Sequence, residues 1–349
     1  MNRMNRMNPI FEFPTIRPAA RITLIALAIA AGVTSSRAAD GDAAAAKPFA
    51  SAVVESLNSL SGGPHAGYRA NHAKGVLVTG EFVPSSSAKG LSRAAHFAKR
   101  VPVLVRFSNG TGLPTMPDAD GNASPHGMAI RFQLPGGANT DIVGISANGF
   151  PVATPEEFLE LLQAVAASGP TATKPTPIEQ FLGSHPVALK FVTTPRPPPV
   201  SFSTLAFYGV NAFKFTNAKG VSRYARYQIL PVAREQALTE ADAGKAAPNY
   251  LMDELAQRIA MGVVKFRLVA QVAQDGDAVN DGSVSWPADR ELIELGTISL
   301  NKTPVEQVNA QKALLFNPLQ LQAGIEPSAD PVLLARPGAY AVSYGQRGQ

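Results

Sequence analysis

Cysteine is absent from the 349 residues, and with it go disulfides, thiolate metal sites, iron–sulfur clusters and cysteine nucleophiles. Charged residues are scarce, at 16% against 45% hydrophobic, a balance that permits a large buried core and argues against wholesale disorder. An exported chain without disulfides must draw its stability from that core alone. Beyond the N-terminal segment no Lys/Arg-rich run with interleaved aromatics occurs, so nucleic-acid binding has no footprint here. There is no internal repeat. Only five histidines are present, His65, His72, His96, His126 and His185, which leaves few places for imidazole acid–base chemistry.

What is there begins with a segment unlike the rest. Arg3, Arg6, Arg17 and Arg21 precede an apolar run from Ile22 to Val33, followed by small residues around Ser36-Arg37-Ala38. A basic region, a short apolar run and a small-residue cleavage site form the pattern of an export signal, and the run is too short to span a bilayer stably. Residues 1–38 are therefore expected to be a signal peptide cleaved after Ala38, leaving 39–349 as a single periplasmic domain. Part of the net charge of +5 would leave with it.

The mature chain is expected to start with a short helix over 49–60. Strands are read at 75–82, 101–108, 126–134 and 140–146, where β-branched and aromatic residues lie between Gly-, Pro- and Asn-rich turns. Thr154 caps a helix with Pro155 at its first position, acids in its first turn, and Phe158, Leu161, Leu162 and Val165 on one face. The Pro-rich stretch 193–202 reads as an extended connector. Asn217-Ala-Lys-Gly220 reads as the turn of a hairpin, 247–262 as a helix, and 263–274 and 294–302 as two further strands. Many strands with a few inserted helices indicate one α+β domain built on an antiparallel β-barrel.

Three places carry candidate chemistry. "GYRANHAKG" (67–75) sets Arg69 and His72 at a loop-to-strand junction, and a histidine there can exchange a proton near neutrality or simply be solvated. "VRFSNGTG" (105–112) sets Arg106 and Ser108 on one face of a strand; an arginine pointing into a barrel needs an anion, whereas one at the rim sits in water. "DIVGISANGFP" (141–151) adds Asn148 and Phe150 in a polar–aromatic turn. Near the C-terminus Arg336 stands four residues before Tyr340, a spacing that brings two side chains together on a helical turn.

In order, these segments resemble the catalases. "YRANHAKG" resembles the stretch carrying that family's distal histidine, and "PVLVRFS" and "HGMAIRF" with "TDIVG" resemble its next barrel strands. "YGVNAFKFTNAKGVSRYARYQ" resembles its hairpin, and "WPADRELIELGTISLNKTP" with "FNPLQLQAGIEPSADPVLLARPGAY" the run to its proximal tyrosine. The resemblance extends over residues 60–345. It implies a catalase-like antiparallel β-barrel core with inserted and flanking helices, and a haem b cofactor. Tyr340 would be the axial iron ligand, as in the standard example of tyrosine-ligated haem, with Arg336 beside it and Tyr344 a distant second choice. His72 would move the peroxide proton, Ser108 would orient its ring, and Asn148 would donate to the peroxide, although "SANGFP" departs from the family's double asparagine followed by proline. Arg69, Arg106 and Arg347 would neutralise the haem propionates, and Phe150 would join the cofactor's surroundings.

The chain stops soon after the tyrosine helix, without the family's C-terminal helical segment. It thus resembles the exported, truncated catalase-related haem peroxidases, in which a shorter or wider channel would admit larger peroxides. The expected function is reduction of organic peroxides and hydrogen peroxide with a small-molecule electron donor. Disproportionation of hydrogen peroxide is the nearest alternative. A haem carrier or sensor without turnover, and a peroxide rearrangement of the allene-oxide-synthase kind, are the others.

Overall fold

The computed structural model describes residues 49–347; the signal read over 1–38 lies outside the described residues. The elements run α1 (Phe49–Leu60), β1 (Gly75–Pro84), α2 (Ala88–Leu91), β2 (Val101–Ser108), β3 (Gly127–Gln133), β4 (Asn139–Ile145), α3 (Pro155–Ala166), α4 (Pro177–Ser184), α5 (Pro186–Thr193), β5 (Phe207–Tyr208), β6 (Phe213–Thr216), β7 (Ser222–Pro231), α6 (Glu240–Ala243), α7 (Tyr250–Met261), β8 (Val264–Val272), β9 (Leu292–Lys302), α8 (Gln307–Ala313), β10 (Ile325–Pro327) and α9 (Pro331–Gln346). All strand pairs are antiparallel, in the order β7-β5-β4-β3-β2-β1-β9-β8, and β8 returns to β7 to close an eight-stranded barrel. Closure removes the open edges that an antiparallel sheet would otherwise expose. β6 and β10 extend a ribbon from the half of β7 that β5 leaves unpaired.

Alternation along each strand decides what fills the barrel. In β2, Val101, Val103, Val105 and Phe107 join the buried core, while Leu104, Arg106 and Ser108 take the opposite face because successive side chains alternate. Phe82, Phe107, Phe132, Phe207 and Phe266 occupy the same core, and Phe107 alone lies within 5.3–5.9 Å, centroid to centroid, of three other rings. The interior is thus packed solid. Arg106 does not point into the barrel: it sits on the outer face, buried beneath the helices that cover it. Pairing then sets its neighbours, with Arg106 opposite Leu77 and Ala129, and Ser108 opposite Gly75 and Gly127.

The helices cover that outer face. α3 begins where expected, with the Thr154 and Glu157 side chains closing a reciprocal capping box and Pro155 at the first position. α4 starts on the same device at Thr176 and Glu179. α1 packs against both α3 and α9. α9 runs unbroken through Pro337, although proline removes one amide from the ladder. Among the described residues no helix is long and apolar enough to cross a membrane.

Among the described residues two histidines are buried without a salt bridge. His96 stacks near Phe97 and Phe132 at 4.0 and 4.9 Å, and neither ring nitrogen has a hydrogen-bond partner. Burial pushes its pKa down to about 3. Burial also lowers His126 to about 4, partly opposed by Asp118. In the unfolded chain an imidazole takes its proton near pH 6.5, so stability is full above that value and falls as the pH drops toward the folded pKa. A near-UV circular dichroism titration of His96→Leu is expected to show acid unfolding at a lower pH than the wild type. An unchanged midpoint would show that His96 does not contribute.

Candidate active site

A cavity of about 260 Å³ lies between the outer face of the barrel and helices α1, α3 and α9. On one side His72 lines it from the strap leading into β1, in the left-handed backbone region at φ 56°. That conformation costs a residue with a side chain about 1–2 kcal/mol, so other bonds must hold it. Arg106 does so, donating from Nη1 to the carbonyl of His72 and from Nη2 to that of Ala73, both at 2.9 Å. The imidazole Nδ1 lies 3.1 Å from Ser108 Oγ. Gly127 makes this pairing possible, because a Cβ there would stand 2.7 Å from Ser108 Oγ and 2.8 Å from His72 Nδ1. Burial, and next the charge of Arg106, push His72 down to about 3. The ring is therefore neutral at ordinary pH.

The opposite side is built on α9. Asp330 caps the helix, accepting from the amides of Val332 at 2.9 Å and Leu333 at 3.2 Å. Its other oxygen accepts from Asn211 Nδ2 at 2.7 Å. Asn211 Oδ1 in turn accepts from Arg336 Nη1 at 2.7 Å. Arg336 then donates to Tyr340 Oη from Nη2 at 2.7 Å and from Nε at 3.1 Å. The result is a chain Asp330–Asn211–Arg336–Tyr340, buried at its first two members and half-buried at its last two, that aims a guanidinium at a phenol oxygen.

A third group closes one end. Arg69 and Arg347 both donate to the carbonyl of Leu314, at 2.9 and 2.8 Å, and Arg106 Nε donates to Gln311 Oε1 at 2.8 Å. Among the described residues none of the three has an ion pair with a carboxylate, and Arg347 Nε is buried without a partner. Burial and then mutual repulsion lower Arg69 to about 7, and burial with Arg347 nearby lowers Arg106 to about 9. Three crowded guanidinium groups without a counter-charge call for an anion.

The residues fit haem. Tyr340 offers an iron-ligating oxygen, the three arginines suit two propionates, and Val53, Val54, Leu57, Phe150 and Phe158 among others line the remaining wall. His72, Ser108, Arg69, Arg106, Phe150, Arg336, Tyr340 and Arg347 thus share one cavity. Asn148 stands apart: its side chain is exposed, and its carbonyl accepts from the Ser285 hydroxyl. Tyr344 is also exposed, beneath the Arg347 guanidinium at 4.8 Å. No spacing rule points to Asn211, which lies 125 positions from Arg336, or to Gly127. Asp330 does carry a local signal, an N-cap acid followed by Pro331.

A model of the Catalase family matches residues 65–347. The chain is 36% identical over 287 residues to a Catalase-related peroxidase of Mycolicibacterium paratuberculosis, covering 81% of this chain and 90% of that protein. It is 35% identical over 298 residues to a Catalase-related peroxidase of Synechococcus elongatus, covering 83% and 87%. Against the Catalase of Mus musculus the identity is 29% over 297 residues, which is 80% of this chain but 56% of the other. The crystal structure of a fungal catalase superposes with a TM-score of 0.71 at 26% identity, over 80% of this chain and 59% of that one.

Asn211→Ala removes one hydrogen bond to a half-buried cation and one to a buried carboxylate. Bonds to charged groups contribute about 1.5–3 kcal/mol each, and a buried group left unpaired costs more. Urea unfolding is expected to show a loss of about 2 kcal/mol or more; a change under about 0.5 kcal/mol would mean the chain through Asn211 holds nothing in place.

Proposed function

The chain belongs to the catalase family, and on that premise we propose that it is a haem b peroxidase that reduces organic hydroperoxides and hydrogen peroxide, drawing electrons from a small-molecule donor. The overall change is ROOH plus two electrons and two protons giving ROH and water. The observation that carries this reading is the sharing of one cavity by the His72–Ser108 pair and the Arg336–Tyr340 pair. Two relatives of matching length, whose names contain peroxidase, support it further.

Haem, when bound, supplies the iron at which the peroxide bond is reduced. Tyr340 would hold that iron, with Arg336 stabilising negative charge on its oxygen. Arg69, Arg106 and Arg347 would pair with the propionates. His72, neutral and held through Nδ1 by Ser108, has its other ring nitrogen free to take the proton from the near peroxide oxygen and give it to the departing one. A positioned proton transfer of this kind contributes about 10² to 10⁴ in rate. The apolar side chains of α1 and α3 suit the carbon skeleton of an organic hydroperoxide better than hydrogen peroxide alone. Asn148 does not line the cavity, so the peroxide-donor role expected of it has no support there. Residues 1–38 would direct export, placing the mature enzyme in the periplasm; mass spectrometry of the periplasmic fraction is expected to find an N-terminus at Ala39.

The test is a steady-state assay with hydrogen peroxide and with cumyl hydroperoxide, each with and without a phenolic donor. Donor-dependent reduction of both peroxides is expected. Vigorous oxygen release without donor would favour disproportionation instead. His72→Ala should keep its haem and lose 10²-fold or more of the peroxide rate; a haem carrier would bind haem and show no turnover in either protein. Tyr340→Phe should alter the visible haem spectrum, and identical spectra would remove Tyr340 as the ligand.

A further inference from the structure

We infer that the buried Lys74–Asp118 ion pair is a positioning device for His72, an assignment that rests on the acid–base role proposed above for that histidine. Lys74 stands two residues beyond His72, at the start of the strap's run into β1. Its ammonium lies 2.6 Å from Asp118 Oδ1 and donates to the carbonyls of Met116 at 3.0 Å and Pro248 at 2.7 Å. Asp118, 1% exposed, gathers two more donors: Asn109 Nδ2 on Oδ1 at 2.8 Å and the Leu251 amide, in the first turn of α7, on Oδ2 at 2.9 Å. Asn109 directly follows Ser108, and its own amide donates to the carbonyl of Lys74 at 3.0 Å. One carboxylate therefore ties the strap that carries His72 to the strand end that carries Ser108.

The strap needs this hold. His72 is one of two non-glycine residues in the left-handed region among those described, and its ring meets Ser108 only while that backbone turn persists. Arg106 grips the strap from the cavity side through the carbonyls of His72 and Ala73. Lys74 grips it from behind. All three ammonium hydrogens have acceptors, and both carboxylate oxygens have donors, which is the condition under which a buried pair is tolerated. An apolar pair could fill the same volume, but it would remove the directed bonds that hold the strap from behind and leave only those from Arg106 and the backbone. Neither residue lines the cavity, so the effect inferred for them is exerted through the strap and strand end that carry His72 and Ser108.

The experiment uses the haem-loaded mature protein and five variants: Lys74→Met, Asp118→Asn, His72→Ala, and each of the first two combined with His72→Ala. Two rates are read at equal haem content, the stopped-flow reaction with hydrogen peroxide and the association of cyanide. Cyanide arrives as hydrogen cyanide and must give its proton to a nearby base, so its rate reports where the imidazole stands without any turnover. Lys74→Met and Asp118→Asn are each expected to keep the visible spectrum of the iron–phenolate side and to slow both rates tenfold or more. In the His72→Ala background neither should slow them further. A merely structural role would lower the unfolding temperature without this dependence on His72.

Rates within twofold of the wild type in Asp118→Asn would overturn the inference, as would an equal loss with and without His72. Should Lys74→Met fail to accumulate, Asp118→Asn, which keeps the volume and one acceptor, carries the same comparison. If His72→Ala itself leaves both rates unchanged, the acid–base reading falls and the inference with it. If His72→Ala slows them and Asp118→Asn does not, the positioning role alone is refuted.

Discussion

Everything in this molecule follows from a barrel whose inside is already full. The rings of Phe82, Phe107, Phe132, Phe207 and Phe266 occupy the space that eight closed strands enclose, and close-packed interiors have no room for a ligand. Polar chemistry is therefore forced onto the outside of the barrel. Because the side chains alternate, the same strand that sends Phe107 inward sends Arg106 and Ser108 outward. The helices α1, α3 and α9 then roof that face, and the cavity is the gap they leave.

The two sides of the cavity are set by different physics. On the α9 side most of the work is local: Asp330 caps the helix, and a one-turn spacing brings Arg336 to Tyr340. Only Asn211, from the chain entering β6, is remote. On the His72 side nearly all of it is long-range. The ring's place depends on the register of β2 against β3, on the missing side chain at Gly127, and on Arg106 reaching back to two carbonyls. A single residue's slip in that register would send Ser108 into the core.

Electrostatics ties the two sides to the cofactor. Arg69 and Arg347 crowd the Leu314 carbonyl just past the end of α8, and Arg106 donates to the side chain of Gln311 on the same helix. Those acceptors satisfy hydrogen bonds but do not cancel charge. A ligand bearing two carboxylates would relieve a repulsion that the empty protein must bear, so binding and stability are coupled. The arginines thereby favour an anionic group at one end of a mostly apolar cavity.

How much of this was legible follows the range of each interaction. α1, α3 and α7 and the longer strands are written in local periodicity, caps and turn residues, and the Arg336–Tyr340 pair in a spacing of four. α4, α5 and α8 carry seven or eight residues each, too short for a periodic signal, although the Thr176–Glu179 box marks one of them. The sequence left Arg106 either inside the barrel or at its rim, because alternation gives two faces without saying which is the core; it lies in neither place, but on the outer face beneath the helices. Asn148 sits beside Phe150 in the chain, yet the turn at Gly149, φ 151°, leaves one exposed and the other on the cavity. By itself the sequence determined the longer elements, the family and the residue types available for chemistry. The tertiary structure decided which of them meet, because Asn211, Asp118 and Gly127 act across distances in the chain that no local spacing encodes.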